Sequence, residues 1–419
     1  MGEVHTGMIL ARWRRLRANG AERELAGRAL VLGLVTLSVS LAMNLYVPAF
    51  PKIAADLASD VHIIQFSVGS YLAALAIGQN IYGPLSDRYG RKWPLGAGLA
   101  IYILASIGTA SAGSAEALIV WRFVQGLGAC AAMVIPRAMV RDLYTGVQAA
   151  RVISLVLLVV SVAPLMAPML GSALSAILPW NALFWFMATA GALSLILVLM
   201  RLPETYQTER RGAGGYGAIL QRYRALLADR RFVAQIALLA FAQAGYFTFV
   251  SGSPQVFLQV HGLSTWQYSM VFAVTAVAWV ASAQFVPTLM ARIGGDRLAT
   301  IALSIGAVAA LLLLATLALG AGGLGTLIVA LAVMFGTVGI TVPAVTVVAL
   351  HAHGEAAGTA TALIGTLNFA IGAAASSLLG AIAEDGTELP MVAMMTACAV
   401  IAFALSFPAF RGLPEAHKR

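Results

Sequence analysis

The order of apolar and polar segments along the chain constrains its fold more than any single motif. Apolar runs of about 20 residues, each long enough to cross a bilayer as a helix, recur through almost the whole sequence. Only 10% of the 419 residues are charged, against roughly 25% in soluble proteins. Twelve such runs are predicted, near 28–50, 63–85, 94–113, 117–139, 151–176, 181–201, 231–257, 267–290, 298–319, 324–350, 358–382 and 389–410. We therefore expect an all-α membrane protein with 12 transmembrane helices.

The basic residues indicate how these spans are oriented, because cytoplasmic loops carry the excess of Lys and Arg. Of the 26 basic residues, 23 lie in the N-terminal segment, in alternate loops and in the C-terminal tail. The opposite loops contain only Lys52, while Arg122 and Arg137 lie within span four. Both termini and the central loop are therefore expected in the cytoplasm.

A polar segment in the middle of the chain divides the spans into two groups of six. The expected units are a cytoplasmic N-terminal segment (1–27), an N-terminal six-helix bundle (28–201), a cytoplasmic linker (202–230), a C-terminal six-helix bundle (231–410) and a cytoplasmic tail (411–419). Around 219–231 the linker either forms a short amphipathic helix with arginines near lipid headgroups or is a disordered connection. The sequence leaves both alternatives open.

The charged segment 83–95 lies between spans two and three and reads G-x-L-x-D-R-x-G-R-K-x-x-L. Its charges must lie outside hydrocarbon, and its glycines would allow close helix approach and a tight reversal. In this form it resembles the signature loop of the major facilitator superfamily. By that resemblance the cytoplasmic gating residues are Gly83, Asp87, Arg88, Gly90, Arg91 and Lys92.

The resemblance implies that this loop acts as a latch. Asp87 is expected to pair with Arg141 or Arg151 and to cap the N-terminus of a neighbouring helix, which would close the cytoplasmic side in the outward-open state. In the alternative interpretation the charges only fix the topology. The change Asp87→Asn is expected to leave membrane insertion intact and to reduce turnover.

A weak internal repeat supports two related halves. The pattern L-x-x-R-x-G at 85–90, after span two, recurs at 289–294, after span eight. Ala291 replaces the acidic residue in the second copy. Transporters of this superfamily are built from such halves, with a binding cavity between them near the membrane midplane.

Two further segments resemble motifs of the drug/proton antiporters in this superfamily. In span four, Arg122 and Gln125 belong to R-x-x-Q-G-x-G, whose arginine is thought to help proton transfer or substrate exchange. The alternative is an arginine that snorkels to the outer interface. In span five, Pro164, Pro168 and Gly171 resemble the antiporter motif, and two prolines four residues apart are expected to bend the helix.

The chain also resembles the bicyclomycin/chloramphenicol resistance (Bcr/CflA) branch of these exporters. The matching segments are N-L-Y-V-P at 44–48, R-D-L-Y at 141–144 and Q-A-G-Y-F-T-F at 243–249, together with Gln65 and Gln79. The expected substrate and coupling cavity contains Asn44, Tyr46, Arg122, Gln125, Gln243, Tyr246, Phe247 and Asn368. Aromatic rings and amides of this kind would fit uncharged or weakly charged drugs.

One position departs from that branch. Asn44 stands where the branch usually has an acidic residue, and an amide cannot titrate. None of the 17 acidic residues falls in the middle of a predicted span, although proton-driven export normally needs a titratable group in the cavity. Three explanations stay open: coupling through a boundary acid such as Asp142 or Glu355, transport without proton coupling, or replacement of a natural acid by Asn44.

The resemblance implies a secondary transporter that exports small drug-like molecules across the bacterial inner membrane by alternating access, driven by proton antiport. The alternative is an amino acid or nucleobase exporter, or an uncoupled facilitator. Enzymatic activity and cofactors are not expected, because no nucleophile, metal cluster or acid/base pair is visible at membrane depth. The expected partners are a small-molecule substrate, protons and lipid. Nucleic acid is not expected, since the basic residues lie in short loops. The expected oligomeric state is a monomer.

Overall fold

The described part of the protein is helical throughout. The computed structural model describes residues 27–144, 152, 163, 166–205, 216–353, 356–383 and 386–411, and none of these residues lies in a strand. Eleven helices are long and apolar enough to cross a membrane, and Met166–Ile177 is a shorter apolar helix. That helix lies at the end of predicted span five, half of which is outside the described residues. The predicted all-α membrane fold is confirmed.

The helices follow one another with short connections. The first half contains α1 (27–44), α2 (Phe50–Asp56), α3 (Val61–Tyr89), α4 (Lys92–Ala110), α5 (Ala115–Leu143), α6 (Met166–Ile177) and α7 (Asn181–Arg201). The linker contains α8 (Tyr216–Ala228). The second half contains α9 (Arg230–Pro254), α10 (Thr265–Gln284), α11 (Val286–Ile293), α12 (Gly295–Ala318), α13 (Leu324–His351), α14 (Ala357–Ile382) and α15 (Leu389–Phe410).

Several helices are longer than their apolar runs. Helix α3 has 29 residues and a length of about 43 Å, whereas the hydrocarbon layer is about 30 Å thick. Its last turn therefore includes Asp87 and Arg88, which the sequence placed in a loop, and only Gly90 and Arg91 connect it to α4. Gly90 has a φ of 89°, which suits a glycine at this reversal. Hydropathy reports the thickness of the apolar layer, so it misses helical turns that continue beyond it.

Prolines accompany the breaks in three spans, because proline cannot donate a backbone hydrogen bond. The first span is interrupted after Asn44 by a short 3₁₀ turn that contains Pro48. Helix α9 ends at Pro254 and continues as a π-helical turn, Gln255–Val260. Span eight, predicted as one helix, is divided into α10 and α11 before Pro287.

Helices from the two halves pack directly on one another. Helix α3 runs antiparallel along α14, and small residues bring the backbones together. A Cβ added to Gly69 would lie 3.2 Å from the carbonyl oxygen of Ala373, and one added to Gly380 would lie 3.1 Å from that of His62. On the opposite side of the molecule, the Ser172 hydroxyl of α6 donates to the backbone oxygen of Thr265 at the start of α10, at 2.8 Å.

The outer surface is apolar, as expected for a protein surrounded by lipid. Helices α4 and α7 pack against each other in the first half, and α12 and α15 do so in the second. Large apolar side chains on these helices are exposed, for example Met200 at 74% and Leu312 at 62%. Since water would not favour so many exposed apolar groups, these faces mark the lipid boundary.

Candidate functional site

A neutral hydrogen-bonded pair joins the two halves. The side-chain amide of Asn44, at the end of α1, donates from Nδ2 to the hydroxyl of Tyr246 on α9 at 3.2 Å. In the reverse direction the tyrosine hydroxyl lies 3.4 Å from Asn44 Oδ1. Asn44 is only 1% exposed, so its amide depends on this protein partner. Both side chains are neutral, so this contact joins the two halves without a charge.

Aromatic rings from three helices surround Tyr246, and a fourth helix extends the group. Its ring centroid lies 5.4 Å from that of Phe247, 5.2 Å from Trp279 on α10 and 5.9 Å from Phe335 on α13. Phe369 on α14 extends the group and lies 5.9 Å from Phe247. We call Tyr246, Phe247, Trp279, Phe335 and Phe369 the aromatic cluster. Edge-to-face and offset rings of this kind bind flat apolar molecules and tolerate different shapes.

The structure places two other predicted cavity residues beside this cluster. Asn368 precedes Phe369 on α14 and is 6% exposed, and its Oδ1 has no hydrogen-bond partner. Gln243 lies one turn before Phe247 on α9 and is half-buried. A buried acceptor without a partner is costly, so Asn368 Oδ1 is suited to a donor group of a ligand.

Arg122 forms a second, separate cluster inside the first half. Its guanidinium lies 4.3 Å from the ring centroid of Tyr46 and 4.2 Å from that of Tyr71. Its Nη1 donates to Gln125 Oε1, and Gln125 Nε2 donates to Ser106 Oγ at 2.7 Å. The side chain is fully buried, so Arg122 is held between two rings and does not snorkel to an interface.

Carboxylates are absent from the interior of the spans within the described residues. The acidic residues there lie at helix ends or in connections: Asp56, Asp60, Asp87, Glu116, Asp142, Glu204, Asp229, Asp296 and Glu388. In the same residues no group of three or more His, Cys, Asp or Glu could hold a metal ion. Among the described residues, no carboxylate therefore lies inside the spans near Arg122 or the aromatic cluster, where it could bind a permanent cation.

Arg91 is the centre of a charged cluster at one end of the first half. Its Nη1 donates to Asp87 Oδ1 at 2.6 Å and to Ser86 Oγ at 2.7 Å, and its Nε donates to Asp142 Oδ2 at 2.9 Å. Burial alone would lower the pKa of Arg91, but the hydrogen bond and charge of Asp142, followed by those of Asp87, raise it above its usual value. The guanidinium therefore stays charged and links the ends of α3 and α5.

This pairing differs from the predicted latch. Asp87 was expected to bind Arg141 or Arg151, but it binds Arg91 of its own motif, one turn further along the chain. Arg141 lies on the last turn of α5, and Arg151 lies outside the described residues. Asp87 and Arg91 are only four residues apart in the chain, so this ion pair forms more readily than an ion pair between distant elements. Gly83 was expected to allow a close approach between helices. A Cβ there would meet no atom within 4 Å, so the structure shows no such approach at this position.

Glu204 completes the charged cluster and was not identified from the sequence. Its carboxylate accepts from the backbone N–H of Arg91 at 2.7 Å and from that of Lys92 at 3.1 Å, so it caps the N-terminus of α4. A Cβ on Gly90 would lie 2.7 Å from the Glu204 Oε2 atom, so the carboxylate sits directly against the glycine whose positive φ forms the reversal. The Lys92 Nζ donates to the backbone oxygen of Leu199 at 2.8 Å. Arg88 lies over the ring of Tyr89 at 5.3 Å.

Of the predicted helix-bending residues of span five, Gly171 lies close to the break after α1. Gly171 on α6 would place a Cβ 2.9 Å from the carbonyl carbon of Leu45, so only glycine permits this approach. Pro168 accepts a hydrogen bond at its carbonyl oxygen from Ser269 of α10, at 3.0 Å. Pro164 lies outside the described residues.

Neutral hydrogen bonds also join helix α3 of the first half to the second half at two positions along α3. Gln65 Nε2 donates to Gln255 Oε1 at 2.9 Å, and both side chains are buried. Gln255 reaches this partner from the π-helical turn that follows Pro254. Near the other end, Asn80 Nδ2 donates to Thr366 Oγ1 at 2.9 Å. These contacts can break and re-form without desolvating a charge.

A small cavity of about 40 Å³ lies on the far side of Tyr246, between α9, α12, α13 and α15. Phe241, Gly245, Phe335 and Thr337 are among the residues that line it. This volume is far below the roughly 300–1,000 Å³ of a site for a drug-sized ligand. The cavity that Tyr246 and Phe335 line is therefore too small for such a ligand in this conformation.

Many membrane-crossing helices, neutral contacts between two halves and a charged cluster at one end define a membrane transporter. The sequence profile of the Major Facilitator Superfamily matches residues 32–377. The chain belongs to the major facilitator superfamily.

Proteins of similar sequence support the drug/proton antiporter type. An uncharacterized MFS-type transporter, YdgK of Bacillus subtilis, is 33% identical over 91% of this chain and 95% of its own length. The chloramphenicol resistance protein of Pseudomonas aeruginosa is 30% identical over 91% and 90%. The bicyclomycin resistance protein homolog of Haemophilus influenzae is 28% identical over 89% and 93%. A crystal structure of the D-xylose-proton symporter has a TM-score of 0.71 over 94% of this chain and 99% of that one, at 15% identity, and shows the shared fold.

Proposed function

We propose that the protein exports small, uncharged or weakly charged drug-like molecules across a bacterial inner membrane by alternating access. The observation that carries this proposal is the Asn44–Tyr246 contact, because it joins the two halves beside the aromatic cluster. The names of relatives that confer resistance to chloramphenicol or bicyclomycin support the same class of substrate. The substrate is moved without chemical conversion and without a cofactor.

In the proposed cycle, two bundles, 28–201 and 231–410, rock about this contact as a monomer. The linker 202–230 and both termini stay on the cytoplasmic side. When the bundles separate, Asn44 and Tyr246 lose each other as partners and can bind polar groups of the substrate. The rings of the aromatic cluster then take up its flat apolar part.

Proton antiport would require a titratable group, and the structure suggests Asp142. Its carboxylate accepts from Arg91 Nε at 2.9 Å and is 18% exposed. Through this ion pair Asp142 joins the end of α5 to the connection between α3 and α4, which is the end of the first half where we propose that coupling takes place. Glu355, the other boundary acid considered, lies outside the described residues.

An uncoupled facilitator, or an exporter of an amino acid or nucleobase, is the second candidate. It is favoured by the amide at Asn44 and by the lack of carboxylates inside the described spans. A transporter of this kind would equilibrate its substrate and would not respond to a proton gradient.

Inverted membrane vesicles with and without the protein separate these functions. We expect an imposed proton gradient, acidic inside, to drive radiolabelled chloramphenicol into vesicles that contain the protein, and an uncoupler to abolish this accumulation. Labelled adenine and leucine serve as the metabolite arm. Protein-dependent equilibration without accumulation would support the facilitator, and movement of adenine or leucine alone would contradict drug export.

A further inference from the structure

The linker helix α8 touches both halves of the transporter. It packs against α9 and α14 of the second half, where Leu226 is 3% exposed. Tyr223 reaches the first half and donates from its hydroxyl to Asn80 Oδ1 on α3 at 3.1 Å. Asn80 in turn donates to Thr366 of α14. A single chain of neutral hydrogen bonds therefore connects α8, α3 and α14, and it contains no residue of the charged cluster.

Two arginines flank the apolar side of α8. Successive residues of a helix are 100° apart, so Arg222 and Arg224 lie about 100° to either side of Tyr223. Both arginines are exposed. Leu227 lies one turn after Tyr223, on the same side, and is 53% exposed. Basic residues at the two edges of an apolar face are typical of a helix that lies in the plane of a membrane surface.

Within the part of the chain that the structure describes, neither Arg222 nor Arg224 forms an ion pair with an acidic residue. Asp229, the acid nearest in sequence to α8, contacts His353 and caps the N-terminus of α9. The charge of Arg222 and Arg224 is thus available for a ligand outside the protein.

We propose that α8 is a binding site for anionic phospholipid headgroups, whose phosphates contact Arg222 and Arg224 while their acyl chains cover Leu227. The position of α8 favours a lipid over a soluble anion. It lies between the end of one span, Arg201, and the start of the next, Arg230, and must therefore lie near the membrane surface. A soluble acidic partner would leave Leu227 in water. The bound lipid holds Tyr223 on Asn80 and so stabilises the contact between α3 and α14.

Lipid binding is measured first, because this readout needs no transport. The purified protein is placed in phosphatidylcholine nanodiscs with increasing phosphatidylglycerol, and the phosphatidylglycerol retained after extraction is counted by native mass spectrometry. Each arginine near an anionic surface strengthens binding about fivefold, so the double change R222Q/R224Q should weaken it about 25-fold. The matched control is R292Q/R297Q, which removes two exposed arginines, one in the last turn of α11 and one in the first turn of α12, and should leave binding at α8 unchanged.

Two outcomes would overturn the lipid site. Equal retention of phosphatidylglycerol by the wild type and R222Q/R224Q would show that these arginines do not bind it. Displacement of phosphatidylglycerol by millimolar inorganic phosphate would show a simple anion site with no contribution from acyl chains. A 25-fold loss in R222Q/R224Q alone, unaffected by phosphate, supports the proposal.

The link to Asn80 is measured with spin labels at Ala225→Cys on α8 and Ile81→Cys on α3, both exposed positions. Double electron–electron resonance should show a population with a short distance between the two labels. This population should increase at least threefold when phosphatidylglycerol rises from none to about a third of the lipid. The change Tyr223→Phe removes only the hydroxyl, so it should retain phosphatidylglycerol but lose this increase. An equal increase in Tyr223→Phe would contradict the coupling, and so would no increase in the wild type.

Discussion

The charged cluster predicts that two aspartates of similar appearance contribute very different amounts of stability. Asp142 and Asp87 both bind Arg91, at 2.9 and 2.6 Å respectively. The side chain of Asp142 is 18% exposed and that of Asp87 is 60% exposed, while Arg91 is 10% exposed. The shorter bond is therefore the one that water screens. We expect Asp142→Asn to be the more damaging change, although the sequence motif contains Asp87.

The magnitude follows from burial. A partly buried hydrogen bond to a charged group is worth about 1.5–3 kcal/mol, or roughly a 10- to 150-fold change in an equilibrium. An exposed ion pair is worth about 1 kcal/mol or less, or at most roughly fivefold. The change Asp142→Asn also leaves Arg91 with its Nε facing an amide in a mostly buried position. Asp87→Asn leaves the contact with Asp142 intact.

The assay is thermal unfolding of the purified protein in one detergent, together with the initial rate of substrate counterflow per incorporated protein. We expect Asp142→Asn to lower the unfolding temperature by roughly 2–3 °C and Asp87→Asn by about 1 °C or less. Asp296→Asn is the control, since this acid begins the corresponding helix of the second half and forms no ion pair among the described residues. If Asp87→Asn lowers the unfolding temperature as much as Asp142→Asn or more, the reasoning is refuted.

Three other changes test separate parts of the structure. Asn44→Asp introduces a titratable group between the halves, so transport should become more dependent on pH; if the wild type already follows an imposed pH gradient to the same extent, this position does not decide coupling. Gly171→Ala should destabilise the protein by about 1–3 kcal/mol because its Cβ meets the backbone of Leu45, whereas Gly325→Ala, with no neighbour within 4 Å, should not; unfolding in denaturant compares the two. Glu204→Gln should cost about 1 kcal/mol through weaker capping of α4, and a variant as stable as wild type in the same assay would exclude the cap.

The sequence predicted the architecture because hydropathy and the basic residues report the membrane directly. It could not predict the length of the helices beyond the apolar layer, so Asp87 and Asp142 were assigned to loops and not to the last turns of α3 and α5. For the linker it left two alternatives open, and the structure forms the helix Tyr216–Ala228.

The candidate site was predicted only where polar residues interrupt apolar runs. Asn44 and Tyr246 were identified in this way, and the structure brings them together. Trp279 and Phe369 were missed, since an aromatic residue inside an apolar span looks the same whether it faces lipid or a partner. Glu204 was missed because its partners are the first backbone N–H groups of α4. Every residue except proline has such a group, so the amino-acid sequence does not mark them. The proline and glutamate directly after span six were the only available signal.

Counterflow of chloramphenicol by the purified protein in proteoliposomes tests the central claim most directly, namely that a small molecule crosses between the halves at Asn44 and Tyr246. Vesicles are loaded with unlabelled drug and diluted into a trace of labelled drug, with wild type and Asn44→Leu incorporated in equal amounts and compared at two pH values. We expect the wild type to produce a transient accumulation of label, and Asn44→Leu to reduce its initial rate at least tenfold at both pH values. Equal accumulation by the two proteins, or none by the wild type, would contradict this account.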